Sequence, residues 1–390
     1  MYTVNNEAVA GRIESYCRTW RMWLECTNGI DPIIMGDEIM SATGSVSSTS
    51  LSDDIELGAV CAQSWNMTIY GENEFLGKEY ELYFYLVDFE KYTTYADLEQ
   101  YTYSELEKMT LEQIEYLGEI LSGEKIPLGK FTCVKSKKNG GSVEVTMADK
   151  LYFSDRIYKP QISLPAWSRE VEDDICAQLG LVNGNDYTSS AKLRVKTNIR
   201  LYDKNHLRLK TANFDFKITS IPENTTMRQM LSYIASAQGE FGFVDRYGRY
   251  VRKWYGRPEK ILDNNTIDLP TLSERQNVIT GISCKVSDSL TLKLGNSTGR
   301  MLEFENPYMT VSLLNSLWYR IKGFSWYTTE LYHRLGDHSL EVGEVVTYVN
   351  DNGNSYDIPI TNISFTYDGG LAADISAAGL SVEEQIDTGA

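Results

Sequence analysis

The chain has 390 residues, of which 42% are hydrophobic and 23% charged, the proportions of an ordinary globular protein and not of a disordered or fibrous one. Its 54 acidic and 37 basic side chains give a formal net charge of -17, the wrong sign for specific nucleic-acid binding. The longest apolar stretches, such as Leu82–Val87 and Val342–Val349, are far shorter than the roughly 20 residues that cross a bilayer. The start Met1-Tyr-Thr-Val-Asn-Asn-Glu7 lacks the basic and apolar regions of a secretion signal, so a soluble cytoplasmic protein without membrane insertion is expected.

Aromatic residues make up 12%, with 26 Tyr against 12 Phe, a bias that favours strands and half-buried surfaces where a ring packs and its hydroxyl stays wet. The first strand pattern is Thr19–Cys26, in which Trp20, Met22 and Leu24 alternate with Arg21, Trp23 and Glu25. The Ser/Thr/Gly-rich stretch Ser41–Asp54 fits either a strand or a loop. Ile55–Val60, Ser64–Tyr70 and Tyr80–Val87 then follow at the spacing of an antiparallel meander. From Tyr92 to Ser122 the pattern changes to an acidic helical stretch, with Leu106, Met109, Leu111, Ile114, Leu117 and Leu121 near helical spacing. Two capping boxes, Ser104 to Glu107 and Thr110 to Gln113, predict a short helix running into a longer one. Gly129–Lys135 and Ser142–Met147 flank Asn139-Gly-Gly141 and predict a hairpin, so the helical stretch interrupts a β domain.

Beyond Asp149, Pro160 and Pro165 mark a linker, and Ser168–Leu181 carries one amphipathic helix closing near Gly180. Thr226–Gln238 predicts a second helix, followed by a hairpin turning at Tyr247-Gly248. The last part returns to strands at Val278–Val286, Ser289–Leu294, Glu344–Val349, Tyr356–Ile360, Ile363–Tyr367 and Leu371–Ala377, with hairpin turns at Asp351-Asn-Gly353 and Asp368-Gly-Gly370. The expected fold class is β-rich α+β: two barrel-like β domains flanking a mixed α/β middle, with the acidic helical insertion in the first barrel. The expected units are residues 1–150, a small α+β domain at 151–222, a helix-plus-hairpin domain at 223–275, a second barrel at 276–380 and a flexible tail at 381–390.

Catalysis needs convergent groups, and the chain holds no G-x-S-x-G, P-loop, H-E-x-x-H or G-x-G-x-x-G string. Its three histidines are His206, His333 and His338; the last two lie at H-x4-H without further ligands nearby, which reads as surface or loop histidines better than a zinc site. The pairs Asp53-Asp54 and Asp173-Asp174 read as a solvated face of an acidic protein. Asp351-Asn-Gly-Asn354 begins like a calcium loop, but Asn362 stands where the twelfth-position Glu belongs, so the hairpin reading prevails. The six cysteines are scattered without a C-x-x-C pair and read as reduced, mostly buried thiols. No catalytic residue, cofactor or metal ligand is expected. The six apolar residues of the 92–122 stretch, Leu106 to Leu121, are candidates for a partner-contact helix, against packing on their own domain.

Four strings resemble, in their order, the hub family of phage tails: the central baseplate hub of contractile tails and the N-terminal module of siphophage tail-associated proteins. They are Ile55–Ile69; Pro127–Val134 followed by Val143–Tyr152; Thr226–Asp245 with the hairpin behind it; and Leu340–Thr347 through Tyr356–Ile360 and Tyr367-Asp-Gly-Gly370. Together they span roughly residues 20–380, and none is a catalytic signature. The acidic stretch at 92–122 is longer than the plainest hubs imply.

The resemblance implies a non-enzymatic structural role at a virion tail tip or baseplate, assembled in the bacterial host cytoplasm. It implies a homotrimer whose two barrels per chain form a pseudo-sixfold ring, matching a hexameric tail tube or distal tail protein on one face and a trimeric spike or fibre on the other, with the tape measure protein passing through. Contractile tails, non-contractile tails and DNA-free tailocins fit alike. Two other readings remain: a carrier of a cell-wall hydrolase, for which the chain has no room after the second barrel, and a carbohydrate-binding β protein, prompted by Trp20, Trp23, Trp65, Trp318 and Trp326.

Overall fold

The computed structural model describes residues 20–29, 34, 38–50, 54–86, 95–99, 101–107, 109, 114, 125–185, 215–262, 267–297 and 299–379. Six strands form the first β-rich block: β1 (Trp20–Cys26), β2 (Ile39–Ser47), β3 (Ser64–Tyr70), β4 (Glu79–Leu86), β5 (Ile126–Asn139) and β6 (Ser142–Ala148). In β3, Trp65, Met67 and Ile69 are buried while Ser64, Asn66 and Thr68 are not, the two-residue period of a sheet with one face on the core. The β5–β6 hairpin turns at the expected Asn139-Gly-Gly141, where Gly140 (φ 56°) and Gly141 (φ 98°) adopt positive φ. Between β4 and β5 lie two helical turns, α1 (Tyr95–Leu98) and α2 (Tyr103–Leu106).

The middle of the chain runs β7 (Ala166–Trp167), α3 (Ser168–Leu179), β8 (Val182–Asn183), β9 (Lys217–Ile218), α4 (Met227–Gln238), β10 (Phe241–Val244), β11 (Arg249–Lys253) and β12 (Pro258–Leu262). Both helices stop where a left-handed glycine ends them, α3 at Gly180 (φ 71°) and α4 at Gly239 (φ 69°). At the start of α4 the Thr226 hydroxyl accepts from the Gln229 N–H, and the Gln229 side chain accepts from the Thr226 N–H. This is the reciprocal capping box that satisfies two otherwise orphaned donors.

The last block comprises β13 (Thr271–Leu272), β14 (Asn277–Ser287), β15 (Leu290–Gly295), β16 (Arg300–Glu305), α5 (Val311–Ile321), β17 (Ser325–Trp326), β18 (Thr329–His333), β19 (Val345–Val349), β20 (Ser355–Pro359), β21 (Asn362–Tyr367) and β22 (Leu371–Ala377). The first and last blocks share one ten-stranded sheet, in the order β1-β4-β5-β6-β3-β2-β21-β22-β18-β13. The joint is β2, antiparallel to β3 on one side and to β21 on the other.

Gly44 of β2 lies in register with Trp65 of β3 and Phe365 of β21. Those two rings stack over it with centroids 6.0 Å apart and planes 7° apart. A glycine inside a strand marks a place where something must come close to the backbone, and here that is the indole. The main apolar core accordingly draws on both blocks, while a second core cluster packs α3 and α4 around Val171, Ile175, Met230, Leu231 and Ile234.

The expected strand at Ile55–Val60 does not form. Ile55, Leu57, Ala59 and Val60 are buried, but the segment runs beside β10 with isolated backbone bonds, Gly58 N–H to Glu240 O and Gly242 N–H to Ala59 O. Its apolar residues record burial without a ladder, with one isolated bridge from Val60 to Gly242. Ser41–Asp54 resolves as strand only as far as Ser47. Strands β16 and β18 and helix α5 were not anticipated, although Thr310 caps α5 by accepting from Leu313 N–H and Leu314, Leu317 and Ile321 form its buried face.

Candidate assembly surface

Of the six residues expected on a partner-contact helix, Leu106, Met109 and Ile114 are half-buried, Leu106 closing α2, while Leu111, Leu117 and Leu121 lie outside the described residues. Tyr103 on the same turn is 78% exposed.

The tryptophans that prompted a carbohydrate-binding reading are core residues. Trp20, Trp23, Trp65 and Trp326 are each at most 2% exposed, and Trp318 packs against the same core, so these rings do not form a stacking platform. Of the two histidines expected at the surface or in loops, His338 does lie in the loop before β19 but is buried there against Trp20, with ring centroids 3.8 Å apart, and His333 is buried on β18. Asp174, expected on a solvated face, is buried and accepts from the Tyr158 hydroxyl at 2.7 Å, the Gln161 N–H and the Gln178 amide. Asp54 pairs with Arg300, and Asp53 lies outside the described residues. The described cysteines are free thiols, four of them buried; burial pushes Cys61 and Cys284 up to about 12, which keeps both as thiols at neutral pH.

Sequence reasoning missed the buried charges. Arg252 on β11 reaches Glu172 of α3 at 2.7 Å and Glu240 at 2.9 Å, and Glu240 is held by Arg320 of α5 at 2.8 Å. All four side chains are at most 6% exposed. Burial works against the charged Arg252, but Glu172 and Glu240 outweigh it and hold its pKa above the ordinary value. A second group ties β10–β11 to the loop before β19: Glu341 accepts from Arg246 and Lys253, each at 2.6 Å. Burial alone would raise Glu341, yet Lys253 and Arg246 prevail and hold it down at about 2. The available signal was parity: strand alternation puts Arg252 on the same side as Tyr250, which is fully buried.

A cavity of about 40 Å³ lies between Gln63, Trp65, Phe243, Arg246, His338 and Glu341. It has room for a few waters, against the roughly 300–1,000 Å³ of sites that take small molecules. Among the described residues no group of three or more His, Cys, Asp or Glu is placed to hold a metal.

The broad surfaces are the sheet face and the strand edges. On β2, β3 and β21 the side chains turned away from the core are Ser41, Thr43 and Ser45, then Ser64, Asn66 and Thr68, then Asn362, Ser364 and Thr366. Nine neutral polar side chains thus cover the joint of a chain whose net charge is -17. Two strand edges, in contrast, carry concentrated charge: Lys135, Lys137 and Lys138 on β5, and Glu303 and Glu305 on β16.

This β-rich α+β architecture has the fold of a solved tail protein, as the resemblance carried by the four sequence strings implies. The tail protein from Neisseria meningitidis MC58 matches with a TM-score of 0.51 at 12% identity, over 94% of this chain and 99% of that one. The 43 kDa tail protein of prophage MuSo2 from Shewanella oneidensis gives a TM-score of 0.49 at 12% identity over 94% and 99% of the two chains. For prophage tail protein gp18 from Listeria monocytogenes EGD-e the TM-score is 0.48 at 11% identity over 94% and 97%. No protein-family model and no curated protein matches the chain.

Proposed function

We propose that this chain is a structural subunit at the distal end of a phage tail or phage-tail-like particle, a hub that acts by assembly and not by catalysis. The observation that carries this reading is the fold shared with a tail protein over 94% of this chain and 99% of the other. In the proposed hub three copies form a ring. Each copy contributes two β-rich blocks, so a trimer offers six and fits a hexameric tube or distal tail protein on one face, with threefold symmetry left for a spike or fibre on the other. The ladder through β2 and β21 supports this, because a continuous sheet makes the two blocks move as one body.

In this reading the chain assembles in the bacterial cytoplasm, sits at the tail tip and lets the tape measure protein through. The nine neutral side chains over β2, β3 and β21 bring no cation to neutralise phosphates, which suits a channel component with little DNA affinity. Light scattering of the purified protein tests the ring: three chains of 44.3 kDa make about 133 kDa, whereas a persistent monomer at micromolar concentration overturns it.

A further inference from the structure

The two charged strand edges have the properties of complementary halves of one contact. Strand β4 pairs with β5 only from Ile126 to Thr132, and its flank is last used where Cys133 N–H bonds Lys78 O and Gly77 N–H bonds Cys133 O. From Lys135 to Asn139, β5 pairs with β6 on one side and has no strand on the other among the described residues, and all five residues are exposed. Lys137 reaches Glu144 at 3.9 Å, an exposed pair that neutralises little.

Strand β16 ends its own sheet in the same way, parallel to β14 and unpaired on its far side among the described residues. Glu303 and Glu305 are exposed along it, and Glu305 reaches Lys285 at 3.4 Å. An open edge presents unpaired N–H and C=O groups to any extended chain.

We propose that the Lys135–Asn139 edge of β5 in one copy pairs with the β16 edge of the next copy. This rests on the reading of the chain as a self-assembling ring and names the contact within it. The signs decide the arrangement. Two β5 edges brought together would face lysines with lysines, and two β16 edges glutamates with glutamates, so both isologous pairings are repelled. Only β5 against β16 joins opposite charges. One edge belongs to the first block and the other to the last, so the contact is head-to-tail, the heterologous kind that closes into a ring when its rotation allows.

The competing role for such charges is to keep edges apart and prevent aggregation, and charge reversal separates the two. Lys135→Glu/Lys137→Glu/Lys138→Glu and Glu303→Lys/Glu305→Lys each place like charges across the contact, and the variant carrying all five substitutions restores opposite charges with the signs exchanged. Light scattering across a dilution series is expected to show association about tenfold or more weaker in each partial variant and recovered in the combined one. Raised salt should weaken the parent assembly. Circular dichroism confirms that each variant is folded, and Lys135→Gln/Lys137→Gln/Lys138→Gln gives a milder loss should a reversal disturb β5. An oligomeric parent whose mass is unchanged in both partial variants overturns this contact and leaves the ring standing. A monomeric parent removes the ring itself.

Discussion

Replacing Gly44 by Ala tests the joint between the two blocks. A Cβ at this position would fall inside 3.0 Å of three atoms of the Trp65 ring, where ordinary contact begins near 3.4 Å. The indole has nowhere to retreat: it is 1% exposed, stacked on Phe365 at 6.0 Å and set edge-on to Phe84 at 6.3 Å. Overpacking of this kind costs about 1–3 kcal/mol. Against it, losing a glycine restricts the unfolded chain and returns about 0.4–1 kcal/mol. The net expectation for Gly44→Ala is a loss of about 1–2 kcal/mol in urea unfolding followed by tryptophan fluorescence, with a larger loss for Gly44→Val. Trp65→Leu in the Gly44→Ala background should recover part of the loss, a non-additivity expected only of residues in contact. Stability within about 0.5 kcal/mol of the parent for Gly44→Ala would refute the argument that the stacked rings require a glycine beneath them.

Arg252→Met leaves Glu172 and Glu240 buried with Arg320 as the remaining cation of their group, and should cost about 3–5 kcal/mol in denaturant unfolding; less than about 1 kcal/mol would show that this group does not hold α3, β11 and α5 together. Glu341, whose folded pKa of about 2 lies below the ordinary 4.5, contributes stability that is present above pH 4.5 and lost as pH falls through 2. Its share is about 3 kcal/mol, so the stability gap between parent and Glu341→Gln should narrow over that acid window and stay flat above it. Asp149, which burial pushes up to about 7, has the opposite sign: its folded form takes up a proton first, and parent stability falls as pH rises from about 4 to 7 unless Asp149→Asn removes the slope. Thr226→Ala breaks the α4 cap and should cost about 1 kcal/mol, with Thr226→Ser keeping most of it.

Local structure was legible where side-chain chemistry constrains the backbone on its own. Asn139-Gly-Gly141, Asp351-Asn-Gly353 and Asp368-Gly-Gly370 all turn hairpins, and Thr226 with Gln229 starts α4 where the capping pattern put it. What needed long-range partners was not legible. The pattern of β2 does not announce that it joins β21 more than 300 residues later, and the apolar run Ile55–Val60 is buried beside β10 with a single bridge, Val60 to Gly242, in place of a ladder. Arg252 and Arg320 look like surface cations in a chain of 37 basic residues, since Glu172, which holds Arg252, and Glu240, which holds Arg320, each lie 80 residues away from them in sequence. The charged edges could be read as lysines and glutamates, but that they are edges is a property of the ladder.

Cryo-electron microscopy of particles purified from the producing bacterium decides whether this chain forms the proposed ring at the tail tip. Density for this fold is expected at the distal end of the tube, in three copies around the axis, with β5 of each copy facing β16 of the next. Copies repeated along the shaft of the tube, or particles that lack the chain at the tip, would contradict it.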